Sequence, residues 1–586
     1  MAVGEIAGAA RPTRLLTLVT LTAWAILAFA LPLAALTLNT IKFANFPVGY
    51  WLTSFWCMLL LAVLALMFQR RAGGDRGVGG SAKSLAFAGE AMGAAGVLGF
   101  AAAIAELGYD GLAYPLGLVA GLALMAILVA PRFALYPVHS LPGFLSARFG
   151  GVWPARLALL AALPATIWLL AANLRGAALA TQGLIGWDYG TSLALATAGL
   201  TAFWLASAFL GERKPLGAAF GLALLALLLL FVSIAVNLGR PPFAGLVSGS
   251  GLVDLSALDQ KLITGKLADF KSLRPMMSPF LQMPMSSFAG IVLSLALGFA
   301  ACPQMLGRHV SRATVTAGEA SRRTALATLF AALFLVIVPA LAGLQRLAVE
   351  TAIGGGIKTA ELPQNIADAA ALGWLKVCGA SSSIQDACAQ IPGHRGVLRL
   401  QDIAFTSDGS ALASARISNV SDFVVLPFEL AVLALSWMAA RALLAGYFVA
   451  DDMNRRAAQA VGQSLDAKQI VRAALLLLAG LMVAMLGQKQ IAELTAEGFA
   501  LFASALFPAL VLGLYWRKMS AAGAVAAIAT GFTIAFFYIA GVTLGAVPSF
   551  GWTGLQNAAI SLVAVPAGFF AGLVASLVSK APSNSG

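Results

Sequence analysis

Long apolar runs alternate with short polar turns along this chain. A helix needs about 20 apolar residues to cross a bilayer's hydrocarbon core. A lipid-exposed backbone satisfies its own polar groups only in helices or closed barrels. About fourteen runs meet that length: Leu15–Leu36, Val48–Phe68, Leu85–Leu107, Leu112–Pro131, Val152–Leu184, Tyr189–Gly211, Pro215–Gly239, Ser286–Leu306, Arg323–Gln345, Phe423–Ala450, Ile470–Gly487, Leu494–Tyr515, Ala521–Gly541 and Ala558–Val578. They predict an all-α integral membrane protein with about 14 transmembrane helices. Two polar stretches, near 240–285 and 347–421, interrupt the series. The first run is longer than the roughly 7–15-residue core of a signal peptide and no clear cleavage site follows, so no cleavable signal is expected.

Composition agrees with a lipid-facing surface. Of 586 residues, 60% are hydrophobic and 10% charged, against roughly 25% charged in soluble domains. The formal net charge of +13 is read as loop charge, because Lys and Arg accumulate in cytoplasmic loops. With the N-terminus placed in the cytoplasm, the inner loops collect Arg11, Arg14, Arg70, Arg71, Arg76, Lys83, Arg132, Arg148, Arg213, Lys214, Arg308, Arg312, Arg322, Arg455, Arg456, Lys468, Arg517, Lys518 and Lys580. The short outer loops hold little beyond Lys42 and Lys489. The expectation is an even span count, both termini cytoplasmic and residence in the cell's inner membrane. No basic patch with interleaved aromatics suggests nucleic acid. His139, His309 and His394 are scattered and suggest no metal site, and no HExxH, paired-Asp or nucleophile–base set suggests an enzyme. Cys57 and Cys302 fall in apolar runs, whereas Cys378 and Cys388, ten apart in the second polar stretch, are a disulfide candidate if that stretch is extracytoplasmic.

Two runs look interrupted. The third carries Gly89, Gly93, Gly96 and Gly99, and the eighth carries Gly298 and Pro303. Broken segments in corresponding positions of two halves point to an inverted repeat with its site at the breaks, while ordinary Gly-mediated helix packing is the plainer reading. Ionisable residues inside spans are functional candidates by default. Glu90 and Glu106 lie in the third run, Arg175 in the fifth and Arg441 in the tenth. Each has a structural alternative: Arg175 as an interface-seeking stem, Glu90 as a helix-start carboxylate, and Glu106 with Arg441 as an ion pair. Glu429 lies nearer a helix end, where it can snorkel, and Asp110 sits at a turn between spans.

These residues resemble a family. The stretch FPALVLGLYWRKMSAAGAVAAIATG (Phe507–Gly531) resembles the late-span signature of the sodium:solute symporter family. GYDGLAYPLG (Gly108–Gly117) and LPGFLSARFG (Leu141–Gly150) resemble its acetate-permease-like branch. FAGEAMGAAG (Phe87–Gly96), AANLRG (Ala171–Gly176), GFAACPQ (Gly298–Gln304) and ALSWMAA (Ala434–Ala440) look like the large subunits of its two-subunit branch. LNTIKFANFPVGYWLTSFW (Leu38–Trp56) is similar to the small two-span partner subunit, so the chain resembles that subunit fused to the N-terminus of the large one.

The resemblance implies a LeuT-like five-plus-five inverted repeat, the third to seventh spans forming one half and the eighth to twelfth the other. It divides the chain into a two-span region at 1–80, a ten-helix transport core at 81–516 and two further spans at 517–586. It implies alternating access, a small organic anion as substrate, in particular a short monocarboxylate such as acetate, and Na⁺ as the coupling ion, with no other cofactor. By alignment of motifs the cation site takes carbonyls near Gly89 and Met92, Glu90 beside them, and the hydroxyl of Ser436. The chain departs from the family pattern at Trp437, where a second hydroxyl is expected, at Arg441, and at Gln304, which replaces a His. A guanidinium one turn from a Na⁺ seat repels the ion, so a sodium-independent carrier, proton-coupled or uncoupled, remains an alternative, as does a membrane sensor that has lost transport. Arg175, whose planar fork grips carboxylates, is the candidate for the solute's charge, with Glu106, Gln304, Trp437 and Arg441 as further solute or ion-pair candidates.

Overall fold

A computed structural model of the chain describes residues 14–43, 46–71, 81–210, 215–241, 257, 264, 275–311, 317–353, 356–380, 384–390, 397–398, 402–405, 407–451, 467–486, 489–545 and 554–579. Arg11, Arg76, Arg213, Lys214, Arg312, Arg455, Arg456 and Lys580, on which the expected orientation partly rests, lie outside these residues. So do His394 and most of the stretch near 240–285.

The apolar runs are helices. In chain order they are α1 (Arg14–Leu33) and α2 (Val48–Arg71), α3 (Ser81–Ala94), α4 (Phe100–Leu107), α5 (Ala113–Leu124), α6 (Leu141–Phe149), α7 (Val152–Ile185), α8 (Tyr189–Leu210) and α9 (Pro215–Asn237). Then come α10 (Met285–Ala300), α11 (Ala317–Leu335), α12 (Ile337–Ile353), α13 (Asp422–Asp451), α14 (Ala467–Leu486), α15 (Ile491–Tyr515), α16 (Ala521–Thr543) and α17 (Ser561–Val578). Among the described residues, eleven helical stretches are long and apolar enough to cross a membrane. That differs from the fourteen expected. The third and fourth runs join into one stretch, Ser81–Phe133, which turns at Gly108, a glycine with φ of +61°. α8 is not one of the eleven, and the apolar part of α14, Ile470–Met485, is shorter than the others. The ninth run outgrows its expected bounds to Gly318–Ile353, because Arg323 pairs with Glu319 and Arg346 with Glu350, each one turn along the helix.

Burial separates centre from rim. The most apolar window of Ser81–Phe133 is 94% buried, that of Arg14–Leu33 only 22%. Lipid supplies no hydrophobic force between helices, so close packing and interhelical hydrogen bonds hold them together. The N-terminal pair is fastened to the rest in this way. Trp24 Nε1 donates to Ala120 O at 2.9 Å. Tyr109 Oη donates to Pro32 O at 2.6 Å and lies 2.9 Å from Thr53 Oγ1. Asn39 Nδ2 donates to Met277 O at 3.0 Å.

The second polar stretch is folded. Ile357–Lys358 pairs with Val397–Leu398, and Leu375–Val377 with Ile403–Phe405, both antiparallel. Cys378 and Cys388 form a disulfide. A buried helix, Ser410–Ile417, packs against α12 and leads into α13.

Candidate cation and solute site

The two interrupted helices meet one brace, α7. In α3 the interruption is at Gly93, whose φ of 49° and ψ of −148° are not helical. An unbroken helix would send the Ala94 N–H to the Glu90 carbonyl. Here it goes to Asn173 Oδ1 of α7 at 3.0 Å, diverting the donor that the Glu90 carbonyl would receive in an unbroken helix. A side chain at position 93 would also collide: an added Cβ would lie 2.4 Å from Asn173 Oδ1 and 2.8 Å from Ala439 Cβ. In α10 the helix ends at Ala300, Cys302 is extended, and the chain resumes a helical course at Pro303. Proline imposes both changes, since it disfavours helix in the residue before it and suits the first helical position. Gln304, buried just past this break, donates to Thr166 Oγ1 of α7 at 2.9 Å and accepts from Cys302 Sγ at 3.1 Å. Thr166 and Asn173 are two helical turns apart on one face of α7, so a single helix buttresses both breaks. Gly298, read from sequence as part of the second break, instead lets α10 touch α15: a Cβ there would lie 2.0 Å from Phe499 O.

Ser436, the hydroxyl expected at the cation site, belongs to α13. It is buried, its Oγ donates to Val432 O at 2.7 Å, and it lies on the face toward Gly176 of α7, next to Ala94. Gly89 packs against Leu435 and Met438 of α13 and Phe220 of α9, and the Met92 side chain folds over Gly96. The neutral oxygens at this interruption are the Glu90 carbonyl and, on the neighbouring α13, the Ser436 hydroxyl. The carbonyl end of a helical segment favours positive charge. No cluster of three or more His, Cys, Asp or Glu exists among the described residues, so a site here would rely on such neutral oxygens.

Glu90, one turn before Gly93 and 2% exposed, holds together three elements. Arg308 grips it with two bonds, NH2 to Oε1 at 2.7 Å and Nε to Oε2 at 3.2 Å. His309 Nε2 lies 2.7 Å from Oε2, and its ring is stacked on Phe87 at 4.1 Å. The Arg441 guanidinium of α13 comes within 3.9 Å of Oε1 and within 5.9 Å of the Phe203 ring centre. Arg308 and His309 belong to the turn Leu306–Val310 that prolongs α10 past its break. One carboxylate thus ties the near segments of both broken helices to α13.

The remaining candidates lie elsewhere. Glu106, an expected partner of Arg441, instead accepts from Gln490 Nε2, ~24 Å of helical rise from Glu90. Trp437 turns to α8: its Nε1 donates to Ala196 O at 3.2 Å, and its ring covers Gly199. Arg175 meets a carboxylate of the chain itself. Its Nε donates to Asp408 Oδ2, while Asp408 Oδ1 accepts the Ile491 N–H at the head of α15, at 2.8 Å. Burial pushes the Asp408 carboxyl above the usual carboxylate range, against the pull of Arg175 and that N–H.

Residues 72–360 match the model of the sodium:solute symporter family. Over those residues the chain is similar to that family. Two curated relatives cover most of it. One is an uncharacterised symporter of Cupriavidus necator, 26% identical over 84% of this chain and 85% of the relative. The other is a monocarboxylic acid transporter of Corynebacterium glutamicum, 28% identical over 87% and 86%. Among solved structures, a Na⁺-coupled sialic acid symporter in a substrate-bound outward-open state aligns with a TM-score of 0.51 at 14% identity, over 92% of this chain and 99% of that one. That likeness shows the fold. The chain is a multi-pass membrane protein, and the family whose model it matches and its solved neighbour are transporters.

Four residues that meet the candidate side chains carry little signal in the sequence. Arg308 reads as inner-loop charge and His309 as one of three scattered histidines, because nothing in the spacing reveals that the chain stays helical beyond Pro303. Asn173 sat inside a quoted motif with no charge to draw notice. Asp408 lies in a loop whose path only tertiary structure supplies.

Proposed function

We propose that this chain is a secondary active transporter that couples uptake of a short monocarboxylate, such as acetate, to a cation gradient. The observation that carries the reading is the Gly93 interruption. It sends the Ala94 N–H to Asn173 instead of the Glu90 carbonyl, and a backbone carbonyl there together with the Ser436 hydroxyl of α13 is the kind of oxygen set a Na⁺ ion takes. The 28% identical monocarboxylic acid transporter supports the substrate class, and the anionic charge is to be met by a guanidinium, Arg441, or Arg175 once it lets go of Asp408. In this reading Gly89, Glu90, Met92 and Ser436 frame the cation seat. The third to seventh and eighth to twelfth spans form inverted halves of a fourteen-span chain with both termini in the cytoplasm of an inner-membrane protein. The two-span region at 1–80 is a built-in counterpart of a small subunit, the transport core runs over 81–516, and two accessory spans follow at 517–586.

Arg441 favours a second reading. Its guanidinium 3.9 Å from Glu90 places fixed positive charge near the seat, where it repels a cation and suits a sodium-independent carrier.

Substrate class is tested without any gradient. Proteoliposomes of the full chain are preloaded with unlabelled acetate, and exchange for radiolabelled acetate is followed. Exchange inhibited by propionate and pyruvate, and not by neutral amino acids or sugars, is expected. Exchange insensitive to monocarboxylates, or none with any of them, would remove the substrate assignment.

A further inference from the structure

Glu429 is a second buried carboxylate of α13, and its surroundings are opposite to those of Glu90. It lies two turns before Ser436 on the same face of the helix. It is 4% exposed, although its place near the helix start would let it reach an interface. Leu426 and Leu430 beside it are each 49% exposed, so the helix turns those side chains outward and Glu429 inward. Its carboxylate sits directly over Gly183 of α7, where an added Cβ would lie 2.1 Å from Oε1 and 2.7 Å from Cδ. The α7–α13 seam is closely packed at both levels, Gly176 with Ser436 and Gly183 with Glu429. Among the described residues no hydrogen bond or ion pair reaches Glu429. The charged groups acting on it are Arg416, on the Ser410–Ile417 helix, and Asp422, at the head of α13, neither within salt-bridge distance. Arg175 of α7 is taken by Asp408, Gln182 bonds Leu372 O and Trp374 Nε1, and Asn237 of α9 is held by Ser418 O.

We propose that Glu429 is a proton-binding site of the transport core. An ionised carboxylate buried without a donor is strongly disfavoured and neutralises instead. A metal cation is the wrong neutraliser, because it needs several oxygens at once, and Gly183 brings no side-chain donor. A proton needs only one carboxylate oxygen. The step is –COO⁻ plus a proton from water giving –COOH, reversed when the seam next opens to water. The neutral acid fits the packed seam, and the ionised form fits only a seam that admits water. Protonation therefore selects between two arrangements of α7 against α13, the helices that flank the cation seat, and a proton is carried in addition to the cation held there. The link to uptake rests on the transport reading above; the protonation itself does not.

The test has two arms on the full chain in liposomes. In the first, dicyclohexylcarbodiimide, which modifies protonated carboxyls in apolar surroundings, is applied at neutral and at alkaline pH, and the labelled peptides are mapped by mass spectrometry. Glu429 is expected to be labelled at neutral pH and spared at alkaline pH, with Glu90 spared at both. Failure to label Glu429 at neutral pH, or labelling that ignores pH, would overturn the proposal whatever the substrate. In the second, radiolabelled pyruvate, ionised and poorly permeant, is driven by an inward proton gradient. Glu429→Gln is expected to retain gradient-free exchange, which shows that it folds, and to lose proton-driven accumulation by at least about tenfold, with Glu429→Asp partly restoring it. Undiminished proton-driven accumulation in Glu429→Gln would overturn the coupling. Absence of exchange in the native protein would instead strike the substrate reading and leave the labelling arm to decide.

Discussion

Glu90 and Glu429 are both carboxylates buried in apolar helices, and each faces α13 or belongs to it. Glu90 is surrounded by Arg308, His309 and Arg441; Glu429 rests on a glycine. The difference teaches that burial alone does not say what an acidic residue inside a membrane protein does. Charge-assisted bonds from two or three donors fix a carboxylate in its ionised state and make it a joint. A carboxylate with no donor must gain and lose a proton as its surroundings change. The first serves architecture, here the joining of two broken helices, and the second serves exchange with the solution.

The largest expected effect separates the two. Glu90→Gln leaves Arg308 and Arg441 buried without their counter-charge, and breaking a buried ion pair on one side costs about 3–5 kcal/mol. Thermal unfolding in detergent should fall by many degrees and uptake should vanish, whereas Glu429→Gln, which removes an unpaired charge, should leave the unfolding temperature unchanged or raised. Equal loss of stability in both variants would break the comparison.

Next comes Gly93→Ala. The positive φ disfavours a side chain by about 1–3 kcal/mol, and the new methyl meets Asn173 and Ala439. Uptake should be lost while the Glu90 cluster still supports folding, read as a native-like unfolding transition with no transport. Asn173→Ala should be milder. It strands the Ala94 N–H in a buried site at about 1–3 kcal/mol, and uptake should drop without disappearing. Smallest is Trp437→Phe, which removes one bond to Ala196 O, worth about 0.5–1.5 kcal/mol. Because the indole faces α8, uptake kinetics should be unchanged; a large loss would place Trp437 at the cation seat after all.

Much of the architecture was legible because membrane helices announce themselves by length and apolarity. The presence of two interruptions was legible too, since Gly93 and Pro303 act locally, through backbone conformation and a missing donor. Which other glycines mattered was not. Gly298 and Gly183 look alike in sequence, and only packing tells that one admits a neighbouring backbone and the other a carboxylate. The ion cluster was half visible. Glu90 stood out as a charge in an apolar run, but its partner Arg308 looked like cytoplasmic loop charge and His309 like an isolated histidine. Glu429 looked free to snorkel because its distance from the helix end is a sequence property, whereas its direction toward α7 is a tertiary one.

The most direct measurement is uptake of radiolabelled acetate into proteoliposomes with an inward Na⁺ gradient, with Na⁺ replaced by choline as comparison and Ser436→Ala alongside the native chain. Concentrative uptake that needs Na⁺, with Ser436→Ala raising the Na⁺ concentration for half-maximal rate severalfold, is the expected result. Uptake indifferent both to Na⁺ and to the Ser436 hydroxyl would contradict a cation seat at the Gly93 interruption.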